Sequence, residues 1–196
     1  MSKKTHLMCD FETLDLQPST VVLSIGVVEF FPDRWTPQST EEDLVGEKFY
    51  SVFNIQEQID QGRTISAATL QWWMNQRPEA KKAAFPKDQD APPVSEVLLH
   101  LNTFIRGFPT PLALWGNGAA FDNVILASLY NQFKVTPAYR FTSDSCYRTL
   151  KNLIPGISLG KRAGVYHNAL DDAISQAVHA CALLNVLDSS LPRGLM

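Results

Sequence analysis

The 196-residue sequence predicts an α/β layer fold built on a mixed sheet. Three observations carry this expectation. Apolar, β-branched runs lie close together between Thr5 and Phe53, strand-like and helix-like segments alternate from Leu112 onward, and the composition is that of a globular chain: 45% hydrophobic and 19% charged residues. A chain of this length buries about 70% of its unfolded surface, so residues 1–196 are expected to form one domain without a disulfide or structural metal.

Taken in order, Thr5–Cys9 reads as a short apolar strand ending in Asp10-Phe11-Glu12-Thr13. The β-branched run Val21–Phe30 reads as a second, buried strand, and the short turn between them implies an antiparallel hairpin. Pro32–Glu47, polar with an acidic Glu41-Glu42-Asp43 cluster, reads as a long loop, and Lys48–Phe53 as a third strand. Ser66 is the expected N-cap of a helix over Ala67–Gln76, redirected at Pro78. A second polar loop, Pro86–Pro93, precedes a helix over Val94–Phe108, whose apolar residues fall at near-helical spacing. Leu112–Trp115 reads as a strand closed by Gly116-Asn117-Gly118, and Phe121–Phe133 as a helix. Tyr139–Thr142 suggests another strand and Cys146–Leu153 a short helix. A loop containing Gly156, Gly160 and Gly164 leads to the strongest helical signal, Ala169–Leu187.

Several function classes are set aside at this stage. No apolar run approaches the 18 or so residues of a membrane span, and Met1-Ser2-Lys3-Lys4-Thr5-His6 does not read as a secretory signal. Cys9, Cys146 and Cys181 are odd in number and show no C-x-x-C spacing, so neither a disulfide framework nor a zinc site is expected, and a reducing cytoplasm is the natural compartment. The net charge of −3 excludes a strongly basic nucleic-acid coat protein. It leaves room for an enzyme that grips nucleic acid locally.

The chemistry-bearing residues are acids. Asp10 and Glu12 are two apart at a strand end, so both point to one face of the sheet. The other acid triplets, at Glu41–Asp43 and Asp88–Asp90, lie in polar loops. Asp122 follows the Gly-Asn-Gly turn at a helix start, and His167-Asn168-Ala169-Leu170-Asp171-Asp172 opens the final helix. Each alone reads equally as a first-turn acid or a loop histidine. Small residues at Ala173, Ser175, Ala177 and Ala180 allow that helix to approach a sheet closely. Carboxylates gathered in one place raise one another's pKa. Divalent cations relieve that repulsion, and oxygen donors suit Mg²⁺ or Mn²⁺.

Asp10-x-Glu12, Asn117-x-x-x-Phe121-Asp122 and His167-x-Ala169-x-x-Asp172 together resemble the DEDDh family of 3′–5′ exonucleases, most closely the phage exonucleases and the RNase AS-type bacterial exoribonucleases. Arg63–Ser66 and Thr69–Trp73 resemble the same subgroup, and the likeness runs from Met8 to about Leu184. The resemblance implies a ribonuclease H-like fold, a five-stranded mixed sheet with helices on both sides. It implies two Mg²⁺ or Mn²⁺ ions held by Asp10, Glu12, Asp122 and Asp172, and His167 as general base. The aspartate five residues after the histidine is the implied ligand, which makes Asp171 its neighbour. Thr13 would contact the terminal nucleotide. The implied substrate is DNA or RNA with a free 3′ end. Relatives of this kind are commonly homodimers, though no sequence feature establishes one here.

Of the adjacent Trp72 and Trp73, one is expected in the core and one free to stack on a base, with Trp73 taken as the substrate-binding member. Phe11 and Leu14 flank the acids, with Phe11 expected in the core. Lys161 and Arg162 sit in the glycine loop before His167, where they can reach phosphates, and Arg148 with Lys151 is a weaker pair of the same kind. His6, His100 and His179 are read as surface or core residues, and the cysteines as inert thiols. Two other functions compete with the nuclease. One is an aspartyl-nucleophile phosphatase built on Asp10, which leaves Asp122 and His167 unexplained. The other is a non-catalytic nucleic-acid-binding module.

Overall fold

The computed structural model describes residues 4–85 and 91–190. Its strands are β1 (Thr5–Thr13), β2 (Val22–Phe30), β3 (Val45–Val52), β4 (Leu112–Gly116) and β5 (Asp144–Cys146). They form one sheet in the order β3-β2-β1-β4-β5. β1, β2 and β3 pair antiparallel, whereas β4 and β5 run parallel to β1. The helices are α1 (Glu41–Leu44), α2 (Ile55–Asp60), α3 (Ala67–Met74), α4 (Pro78–Ala84), α5 (Val94–Arg106), α6 (Val124–Gln132), α7 (Tyr147–Leu153) and α8 (Ala169–Ser190). Among the described residues none is long and apolar enough to cross a membrane.

The central strand sorts its side chains by the strand period of two. Leu7, Cys9 and Phe11 point into the core formed with α5 and α6. Met8 points the other way, into the core shared with α7 and α8. Asp10 and Glu12 continue the Met8 face to the end of β1, where apolar packing gives way to carboxylates. The sheet register shifts between Glu12 and Thr13. A third cluster of Leu14, Val21, Leu23, Trp73 and Ala84 then fastens α3 and α4 to that strand end.

α8 approaches this face closely. Ala173, Ala177 and Ala180 are fully buried. Gly26, which pairs with Asp10, meets the backbone of Ala169 and Leu170 so closely that a Cβ would collide with it. The small-residue stripe and one glycine thus set the first turn of α8 beside Asp10.

The structure corrects several sequence expectations. Pro32–Glu47 is not all loop: it contains a 3-10 turn (Pro32–Arg34), α1, and the start of β3 at Val45. The Glu41–Asp43 acids fill the first turn of α1, where Thr40 N–H and hydroxyl donate to Asp43 Oδ2 at 2.8 and 3.0 Å. Acids there face the helix's positive end. Tyr139–Thr142 is not a strand. Tyr139 packs its ring against Tyr130, and Phe141–Ser143 forms a 3-10 turn, so the apolar spacing comes from packing under α6. The fifth strand begins at Asp144. The helix expected from Phe121 is preceded by a wide turn, Ala119–Asn123, with i→i+5 bonding, before α6 proper. Ser66 stands at the N-cap of α3 without a side-chain bond, and that helix ends at Met74 rather than Gln76. Of the loop expected at Pro86–Pro93, residues 86–90 lie outside the described residues.

Candidate active site

The C-terminal end of β1 carries Asp10 and Glu12, both buried. Asp122 reaches them from the neighbouring parallel strand. β4 ends at Gly116, where a Cβ would strike the Asn123 and Asp122 side chains, so only glycine lets the wide turn fold back this tightly. Gly118, at φ +131°, makes the reversal. Arg148 braces it by donating to the Asn117 carbonyl at 2.6 Å. Asp122 is 2% exposed, and among the described residues its Oδ2 has no hydrogen-bond partner.

The other side of the site comes from α8 and the loop before it. Asn168 caps α8, its Oδ1 accepting from the Leu170 and Asp171 amides at 3.0 and 3.2 Å. Asp172, in the first turn, turns inward and accepts the His167 N–H at 3.1 Å and Arg162 at 3.0 Å. Asp171 turns outward and accepts the Val165 N–H at 2.7 Å. His167 is left-handed, at φ +66°, a conformation costing a non-glycine residue about 1 kcal/mol. Its ring contacts Tyr166 (3.7 Å between centroids) and Trp72 (4.7 Å). Ligating atoms of Glu12, His167 and Asp172 all fall within 4.8 Å of one another.

Electrostatics follow from this crowding. Burial first, then the Asp122, Glu12 and Asp172 charges, push Asp10 well above the usual carboxylate range. Burial, Asp172 and Asp122 raise Glu12 to about 8. Burial raises Asp122 to about 7, against the backbone groups of Asp122, Asn117 and Phe11 and the charge of Arg148. Burial also raises Asp172, although His167 N–H and Arg162 oppose it. His167 moves the other way: burial and the Arg162 and Arg77 charges lower it, which favours the neutral imidazole. Buried oxygen donors that repel one another, with Asp122 Oδ2 unpartnered among the described residues, suit a hard divalent cation.

The structure therefore brings Asp10, Glu12, Asp122 and Asp172 within electrostatic reach of one another, with His167 beside Glu12 and Asp172. Gln176 was not anticipated. It is buried, and its Nε2 donates to Asp10 Oδ1 at 2.7 Å, opposing the upward pKa shift. Its position four residues after Asp172, on the same helix face, was the available signal.

The outlying expectations divide. Thr13 is buried, with its hydroxyl donating to the Asp15 carbonyl at 2.9 Å. Trp73 is the core member of the tryptophan pair, 2% exposed, and its indole N–H donates to the Thr13 carbonyl at 2.9 Å. Trp72 is 42% exposed and takes the position expected of Trp73. Phe11 and Leu14 are both buried, and Leu16 is the exposed apolar residue beside them. Arg162 reaches the site, whereas Lys161 lines an outer cavity with Glu41 and Ser175. Arg148 binds backbone, and Lys151 lies over the Tyr147 ring. His179 is a core residue bonded to Tyr147 and Ile157. Cys146 differs from the two buried thiols: it is partly exposed and accepts two backbone N–H groups at 3.4 Å.

A cavity of about 430 Å³ opens beside Glu12, lined by Phe11, Thr13, Leu16, Ala68, Trp72 and Phe121.

Similar proteins are found by sequence and by fold. The phage T4 protein named exodeoxyribonuclease is 29% identical over 123 residues, which is 61% of this chain and 53% of the phage protein. The match thus spans about half the length of that relative. The cell-death related nuclease 4 (CRN-4) superposes with a TM-score of 0.60 at 15% identity, covering 93% of this chain and 64% of its own. The nuclease domain of 3′hExo, a DEDDh family member bound to rAMP, superposes with a TM-score of 0.58 at 13% identity, covering 95% and 94%. At these identities the likeness is one of fold, and the fold is ribonuclease H-like. Residues 5–184 match the model of the Rv2179c-like 3′–5′ exoribonuclease domain, and the chain belongs to that family.

Proposed function

We propose that the protein is a divalent-metal-dependent 3′–5′ exonuclease that releases 5′-mononucleotides from nucleic acid. The observation that carries this reading is the convergence of four carboxylates from β1, the turn after β4 and α8, with the Asp122 Oδ2 buried and unpartnered. Asp10, Glu12, Asp122 and Asp172 would hold the ions. A bound pair of Mg²⁺ or Mn²⁺ supplies charge neutralisation of these acids, polarisation of the attacking water and stabilisation of the leaving oxygen.

The chain's own residues do the rest. Neutral His167, its backbone N–H held by Asp172 and its ring packed against Trp72 and Tyr166, accepts the proton of the attacking water on its imidazole. The apolar cavity beside Glu12 takes the terminal nucleoside, with Trp72 offering a ring to the base. The Thr13 backbone and Leu16 close its other side. Arg162, tied to Asp172, stands ready to meet phosphate oxygens.

This reading uses Asp122 and His167, which a phosphatase built on Asp10 leaves idle. The complete acid set and the neutral histidine favour catalysis over a binding module. The three unpaired thiols suit a reducing cytoplasm.

The test is incubation with labelled single- and double-stranded DNA and RNA, each free or blocked at the 3′ end. The expected result is stepwise release of 5′-mononucleotides from free 3′ ends only, stopped by chelator and restored by Mg²⁺ or Mn²⁺. The family description names a ribonuclease and the phage relative a deoxyribonuclease, so both polymers are required. Equal cutting of blocked ends, or no cutting in either metal, overturns the reading.

A further inference from the structure

The His167 ring touches one lining residue of each of two cavities. Trp72 lines the apolar cavity described above. Tyr166 lines a second cavity of about 300 Å³ together with Arg77, Arg162, Glu79, Gly164 and Val165. Two guanidinium groups face one carboxylate there. Arg162 lies over the Tyr166 ring at 4.0 Å and bonds Asp172 through Nη1 alone, which leaves most of its donors free. Arg77 is exposed, and among the described residues no hydrogen bond or ion pair holds its guanidinium.

The placement of Arg77 has a local cause. Pro78 follows it and keeps it extended (φ −59°, ψ 149°), at the boundary between α3 and α4. Trp73, four residues earlier, is anchored to the Thr13 carbonyl at the end of β1. A short, tethered segment therefore presents a guanidinium, unpaired among the described residues, to the Tyr166 cavity. Paired guanidinium groups at the mouth of an acidic site are donors in search of phosphate oxygens.

We propose that Arg77 and Arg162 form a subsite for the phosphodiester immediately 5′ of the one that is cleaved. The inference rests on the exonuclease reading and adds to it the path of the strand. The terminal nucleoside lies in the Trp72 cavity, the scissile phosphate over Glu12, Asp172 and His167, and the next phosphate between the two arginines.

The test uses a single-stranded octamer of whichever polymer is degraded, natural or with one uncharged methylphosphonate linkage just 5′ of the terminal bond. Release of the first nucleotide is timed for the wild type, Arg77→Gln and Arg77→Lys. For the wild type, the neutral linkage should lower kcat/KM about tenfold or more, as expected when a charge-assisted bond is lost. Arg77→Gln should lower the ratio of natural to neutral strand severalfold, the remainder being the share of Arg162, and Arg77→Lys should keep more of it. Any effect of Arg77 on the His167 charge is common to both strands and cancels in the ratio. A wild type indifferent to the neutral linkage overturns the proposal, as does an Arg77→Gln that slows both strands while keeping the wild-type ratio. A wild type that leaves the natural strand intact refutes the exonuclease reading itself, and this subsite with it.

Discussion

The two sides of the site are held by different forces. Asp10, Glu12 and Asp122 sit on strand ends and a glycine turn, fixed by sheet register and by the core beneath them. The segment that carries Arg162 and His167 is tied chiefly to side chains of α8: Ala163 N–H to Ser175, Val165 N–H to Asp171, and His167 N–H and Arg162 to Asp172. Asp172 is thus both a candidate metal ligand and the tether of the candidate base. The strand side is set by register and packing, whereas the loop side owes part of its position to Asp172, whose charge burial opposes.

The largest effects come from removing acids, and they separate the two sides. Asp122→Ala and Asp172→Ala should each abolish nucleotide release in Mg²⁺ or Mn²⁺. Only Asp172→Ala should also release the loop, seen as faster hydrogen exchange of the Ala163, Val165 and His167 amides. Equal exchange in the two variants would show that the loop does not depend on Asp172. His167→Ala should lower the rate by about 10²–10⁴-fold, the usual contribution of a general base. Because the His167 ring lies within ligand distance of Glu12 and Asp172, Mn²⁺ affinity must be measured in parallel. Unchanged affinity with a slow rate assigns proton transfer, and a matched fall in affinity assigns ligation.

The same division governs what could be read from the sequence. Asp10 and Glu12 were legible because a strand's period of two is local and the preceding residues are apolar. Asp122 and Asp172 were legible from three short motifs in order, and the convergence of His167 with Asp172 follows from their spacing on one helix start. What escaped depended on contacts between distant segments. Gly26 looks like any strand glycine until α8 is laid across it. Trp72 and Trp73 are indistinguishable until Thr13 supplies a carbonyl to one of them. Arg77 sits in no motif, and only the fold sets it beside Tyr166. The strand expected at Tyr139–Thr142 failed for the same reason: aromatic alternation signals burial, but which neighbour does the burying is a tertiary fact.

A smaller effect sharpens the view of the strand side. Gln176 donates to Asp10 Oδ1 and so favours the ionised carboxylate. Gln176→Leu removes the donor at similar size. It should weaken Mn²⁺ binding by about 10–100-fold, as loss of an orienting partner of a metal ligand does, and calorimetric titration measures it directly. An unchanged affinity would make Gln176 a packing residue only.

The smallest effect is on stability, and its sign is diagnostic. In metal-free protein the folded pKa values of Glu12 and Asp122, about 8 and about 7, lie above those of the unfolded chain, near 4. Between those limits the folded state binds more protons than the unfolded state, so stability falls as pH rises. His167 and His179 have lowered values and act in the opposite sense, but most of their contribution is complete by about pH 7, half a unit above the ordinary histidine value of about 6.5. The buried thiols Cys9 and Cys181 add to the fall only as pH nears the ordinary thiol value of about 8.5. The window from about pH 7 to 8 is therefore left chiefly to the acids. In chelator the melting temperature should fall across it, by about 2–4 °C for each kcal/mol lost in a chain of this size. Glu12→Gln should flatten much of that slope, because it removes one of the protons in question. Saturating Mn²⁺ should flatten or reverse it, because the cation takes the place of those protons and binds better once they have left. A metal-free protein whose melting temperature is level or rising over this window would mean that the carboxylates do not share one buried space.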